Sequence, residues 1–147
     1  MGAVAGREAG VVGAKTWESA RGRLAISRPA PHVILAIYEG HLTVDMVPFF
    51  EASVAPALET GIRQHLFIDL EHISGYDSEY RRAITKWGVR TQRYFGQTLF
   101  LVRSRIVAIG VAVSNLSSGG FLEATTKRSE FEAALQTAMR RDEVGPP

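Results

Sequence analysis

The chain contains no cysteine. Disulfides, thiolate nucleophiles and cysteine-ligated zinc are therefore excluded, and a reducing cytoplasm is a fitting address. A dominant charge is also missing: 17 Lys and Arg against 15 Asp and Glu leave a formal +2, too little for bulk attraction to nucleic acid or to a membrane surface. No apolar run reaches bilayer-spanning length, and the longest, Ile106 to Val113, is interrupted by Gly110. The amino terminus lacks the basic start and continuous apolar stretch of a secretion signal, so the expectation is a soluble protein. There is no G-x-S-x-G nucleophile turn, and His32, His41, His65 and His72 lack the close i, i+4 pairing of a helical zinc site. These gaps argue against a catalytic centre, a metal site and a cofactor.

What is present is enough for one core: 147 residues, 46% of them hydrophobic. Residues 1–19, rich in Gly and Ala, read as a flexible arm, 20–141 as one domain, and 142–147 as a short disordered tail. Arg23 to Ser27 and His32 to Tyr38 read as strands around Pro29 and Pro31, with a turn at Glu39-Gly40 and a further short strand from His41 to Val44. Asp45 is placed to cap a helix with Pro48 in its first turn. Val47, Phe50, Val54 and Leu58 give that helix one buried side, and Pro56 is expected to kink or split it before Gly61.

His65 to Leu70 reads as a buried central strand, followed by a Ser74-Gly75 turn and a helix running from Asp77, its cap, to about Tyr94. Thr98 to Val102 is a second buried strand. Arg105 to Leu116 fits strand or helix, with helix favoured, then a turn at Ser117 to Gly120 and a last strand from Phe121 to Ala124. Ser129 and Glu132 form an S-x-x-E capping pattern ahead of the apolar stripe Phe131, Ala134, Leu135, Ala138 and Met139. The sum is an α/β domain with a mixed central sheet covered by about four helices.

A buried strand ending in Ile68-Asp69-Leu70, with Ile73-Ser74-Gly75-Tyr76-Asp77-Ser78 opening a helix, resembles the STAS domain of anti-sigma-factor antagonists. Gly75 to Asp77, Ser104 to Ala108 and the final Phe131 helix are also similar to the divergent SpoIIAA-like, or STAS/SEC14-like, branch. The antagonist resemblance implies that Ser78 is a phosphorylation site, with Gly75, Tyr76 and Asp77 forming the switch loop and helix cap. Glu79 and Tyr80 depart from the small residue and glycine usual there. The SpoIIAA-like branch implies instead a small-molecule or lipid-binding, or purely structural, domain in which Ser78 is inert.

Independently of family, a phosphate on Ser78 would sit at a helix amino terminus, favoured by free N–H groups and opposed by Asp77 and Glu79. At about 100° per residue, Arg82, Lys86, Arg90 and Arg93 gather on one side of the helix, while Tyr80, Ile84, Trp87, Thr91 and Tyr94 fall on another. The basic stripe and Glu79 form a candidate partner-binding surface, suited to a protein such as an anti-sigma factor or kinase-like regulator. The aromatics are not interleaved with the basic residues, which argues against nucleic acid. A homodimer is left open.

Overall fold

The computed structural model describes residues 13–104 and 122–143. Six strands, β1 (Lys15–Glu18), β2 (Gly22–Ala30), β3 (Val33–Leu42), β4 (Gln64–Tyr76), β5 (Phe95–Leu101) and β6 (Leu122–Thr125), form one sheet in sequence order. The first two pairings are antiparallel and the remaining three parallel, so the sheet is mixed. Among the described residues there are three α-helices, α1 (Met46–Leu58), α2 (Ser78–Thr91) and α3 (Arg128–Glu143), rather than about four. The helix expected over Arg105 to Leu116 and the turn at Ser117 to Gly120 lie outside the described residues.

β3 shows why its sequence is almost uniformly apolar. Ile34, Ala36 and Tyr38 point into one core with α1 and α2, while Val33 and Leu35 point into a second beneath α3. A central strand covered on both faces has no side left for polar residues. Phe50 and Trp87 meet edge to face at 4.9 Å in the first core, and Phe67 and Phe131 do so at 5.8 Å in the second.

Four local expectations are corrected. Lys15–Glu18, assigned to the arm, pair with β2, and the Glu18 carboxylate reaches Arg23 at 3.0 Å. α1 is not split at Pro56, because a proline so near the carboxyl end removes only one late backbone bond. Asp45 makes no side-chain cap there; backbone turns from Met46 to Thr43 and from Val47 to Val44 open the helix instead. α3 already begins at Arg128, so Ser129 falls inside its first turn and Glu132 turns to Arg128 at 3.3 Å.

The correction that matters most concerns the two expected turns. Neither Glu39-Gly40 nor Ser74-Gly75 leaves the sheet: β3 and β4 stay paired to Leu42 and Tyr76, with register shifts at Ile37/Glu39 and Gly40/His41. Gly40 makes this route feasible. Its φ of +79° suits glycine, and a Cβ there would lie 2.6 Å from the Arg21 carbonyl. The β1–β2 turn thus crosses directly over the end of β3, and the His41 N–H donates to the Arg21 carbonyl at 2.9 Å.

Candidate functional site

The extended β3–β4 pairing delivers the start of α2 to a defined place. His41 lies beside Gly75 and Leu42 beside Tyr76, and the Asp77 N–H then donates to the Leu42 carbonyl at 2.9 Å. The first intrahelical bond, from Arg81 N–H to the Asp77 carbonyl, follows at 3.2 Å. Gly75 and Tyr76 therefore close β4 and do not form a loop between strand and helix. The His41 ring lies beside Gly75, its Nδ1 at an ordinary contact distance of 3.4 Å from where a Cβ would stand.

Asp77 has the extended backbone of a capping residue (φ −81°, ψ 147°), yet its side chain does not cap the helix. One carboxylate oxygen meets His41 Nε2 at 2.7 Å and the other meets an Arg21 guanidinium nitrogen at 3.5 Å. The His41 hydrogen bond, and after it the Arg21 charge, hold the Asp77 carboxyl below the usual carboxylate range. The expected capping role is thus corrected: a histidine 36 residues away takes the carboxylate.

Ser78 and Glu79 are exposed, and the Ser78 hydroxyl has no partner among the described residues. Tyr76 is also exposed, at 46%. The next residue turns inward: Tyr80 is buried and donates its hydroxyl to that of Tyr38 at 3.0 Å. Burial pushes both phenols above the ordinary tyrosine range. Their folded forms remain neutral where unfolded phenols, with a pKa of about 10, begin to ionise. Stability should accordingly be intact below about pH 10 and fall as pH rises beyond it. Chemical denaturation between pH 8 and 11 checks this, with a shallower fall expected for Tyr80→Phe.

α2 separates its faces as its periodicity predicts. Tyr80, Trp87 and Thr91 are buried, Ile84 and Tyr94 half-buried, and Arg82, Lys86, Arg90 and Arg93 exposed. The four basic residues are not equivalent. Arg90 pairs with Glu51 of α1 at 3.4 Å, and Arg93 bonds the Tyr94 hydroxyl and lies 4.8 Å over that ring. Arg82 and Lys86 form no ion pair among the described residues, which leaves the amino-terminal half of the stripe as its available charge.

The polar residues from the middle of β4 to the start of α2 divide between two groups. Asp77 belongs with His41 and Arg21, whereas Asp69 and Glu71 belong with Arg128 at the start of α3. Arg128 meets Asp69 at 2.7 Å and Glu71 at 2.6 Å, and these bonds raise the affinity of its guanidinium for its proton. Arg128 escapes sequence reasoning because its partners lie 57 and 59 residues away. Among the described residues, no group of three or more His, Cys, Asp or Glu is arranged to hold a metal ion. No described helix is long and apolar enough to cross a membrane.

No family model matches the sequence, and neither does any curated protein. Solved structures do match. One is an uncharacterized protein of the DUF3478 family from Shewanella loihica PV-4 with a SpoIIAA-like fold: TM-score 0.59 at 15% identity, covering 83% of this chain and 91% of that one. Another is the anti-sigma factor antagonist SpoIIAA in its unphosphorylated form: TM-score 0.56 at 16% identity, covering 77% of this chain and 96% of that one. The fold is SpoIIAA-like. At such identities the likeness establishes architecture alone, so any partner or modification of this SpoIIAA-like chain must be argued from its own residues.

Proposed function

We propose that this SpoIIAA-like domain is a non-catalytic regulatory module that binds a protein partner through the start of α2 and its basic face, and that phosphorylation of Ser78 controls the binding. The observation that carries the reading is the exposure of an unpartnered Ser78 at the first position of α2, beside a carboxylate turned away from the helix. A kinase needs an accessible hydroxyl, and a phosphate placed there is favoured by the helix amino terminus.

Asp77 opposes that phosphate less than its position suggests, because His41 and Arg21 already engage its charge. Arg82 stands one helical turn further on, where it favours an anion at Ser78 and attracts an acidic surface when Ser78 is unmodified. A fresh double negative charge at the contact would then repel such a partner without unfolding the domain. An anti-sigma factor or a kinase-like regulator is the partner class that the SpoIIAA-like fold suggests.

The test is capture from native cells with wild type, Ser78→Ala and Ser78→Asp as baits. Ser78→Ala should retain the partner and Ser78→Asp should weaken it by about tenfold or more, since like charges at a contact are costly. Identical capture by all three would reject the phosphoswitch and favour a ligand-binding or structural domain with an inert Ser78.

A further inference from the structure

The Asp77 backbone and side chain serve different purposes. The backbone has the dihedral angles of an N-cap, from which a short carboxylate ordinarily accepts from the second or third helical N–H, here Glu79 or Tyr80. The side chain is instead drawn to His41 and Arg21. Moving from one arrangement to the other needs only side-chain rotation, because the backbone is already set for both.

We infer that Asp77 is a two-position cap, held off the helix by His41 and Arg21 and able to swing onto the amides of Glu79 and Tyr80 when that grip is released. The two contacts are unequal. His41 Nε2 is close, at 2.7 Å, and its side chain is only 28% exposed, whereas the Arg21 contact is 3.5 Å and its side chain is 56% exposed. His41 is therefore the decisive holder and Arg21 an auxiliary one. His41 cannot easily drift away, since its own N–H is tied to the Arg21 carbonyl and its ring lies against Gly75.

The arrangement joins three elements that are distant in sequence: the β1–β2 turn, the end of β3 and the start of α2. Whatever engages His41 or Arg21 from outside frees the carboxylate to tighten the first turn of α2. Conversely, an anion on those helix amides favours Asp77 staying with His41, since the two effects are linked and must be reciprocal. This second consequence rests on the phosphorylation of Ser78 proposed above; the two-position cap itself does not.

Amide hydrogen exchange resolved by NMR tests the inference on unmodified protein. In His41→Ala, the amides of Glu79 and Tyr80 should gain protection by about fivefold, the scale of a helix cap. His41→Gln, which keeps a donor near Asp77, should stay close to wild type, and His41→Ala combined with Asp77→Ala should lose the gain. Amides in the middle of α2 report whether the domain remains folded in each variant. Unchanged or reduced protection in His41→Ala with those amides intact would overturn the inference, as would a gain that survives removal of Asp77. Neither result bears on whether cells phosphorylate Ser78, which the capture experiment decides separately.

Discussion

Trp87→Ala should destabilise the domain by about 3–5 kcal/mol, the usual cost of emptying a large aromatic site in a core. Trp87 is the central anchor of α2. It is buried between Phe50 of α1, with ring centroids 4.9 Å apart, and Phe95 of β5, 5.6 Å away. α2 otherwise buries Tyr80 and Thr91, with Ala83 and Ile84 packed half-buried against the same core, so Trp87 is its largest buried side chain. The loss is a large share of the total stability of a domain this size. Urea titration should show a lower midpoint, and exchange should show α2 loosened more than β3. A loss under about 1 kcal/mol would mean that α2 is held by something other than this aromatic cluster.

Arg128→Ala should produce the second largest loss, about 2–3 kcal/mol, by leaving the Asp69 carboxylate buried without its cation. Asp69 is only 8% exposed at its side chain, whereas Arg128 is 39% exposed, so water moderates the loss on the arginine side. Glu71, at 2.6 Å from the same guanidinium, is left with like charge beside it. Pairing Arg128→Ala with Asp69→Asn should recover part of the stability, because the buried charge is then gone. The thermal midpoints of the two single variants and the double variant form a cycle that isolates the coupling. Additive losses would show that the ion pair does not fasten α3 to β4.

How much of this was legible in the sequence depended on the distance over which each feature is determined. The buried strands and the three described helices follow from local periodicity: the spacing of Val47, Phe50 and Val54 and the stripe around Phe131 each match a buried face. β1 was not legible, because four residues reading KTWE acquire strand character only by pairing with Arg23 to Ile26. The continuation of β3 and β4 reads as turns in the sequence for a related reason. Gly40 and Gly75 are turn signals taken alone, yet the β3–β4 pairing runs on past both, and Gly40 serves the close approach of the Arg21 carbonyl. At the site, the position of Ser78 at a helix start and the two faces of α2 could be read from adjacent residues. The destination of the Asp77 carboxylate could not, since nothing near Asp77 points to His41 or Arg21.

The central claim is that the amino-terminal corner of α2 is the surface a partner contacts and that charge on Ser78 governs the contact. It is tested most directly by a photo-crosslinking amino acid placed in living cells at the position of exposed Glu79, with exposed Gln136 of α3 as the control position. The account predicts a discrete protein adduct from position 79 that is absent from position 136 and disappears when Ser78→Asp is added. Adducts from position 136 alone, or an adduct at position 79 that Ser78→Asp leaves unchanged, would contradict it.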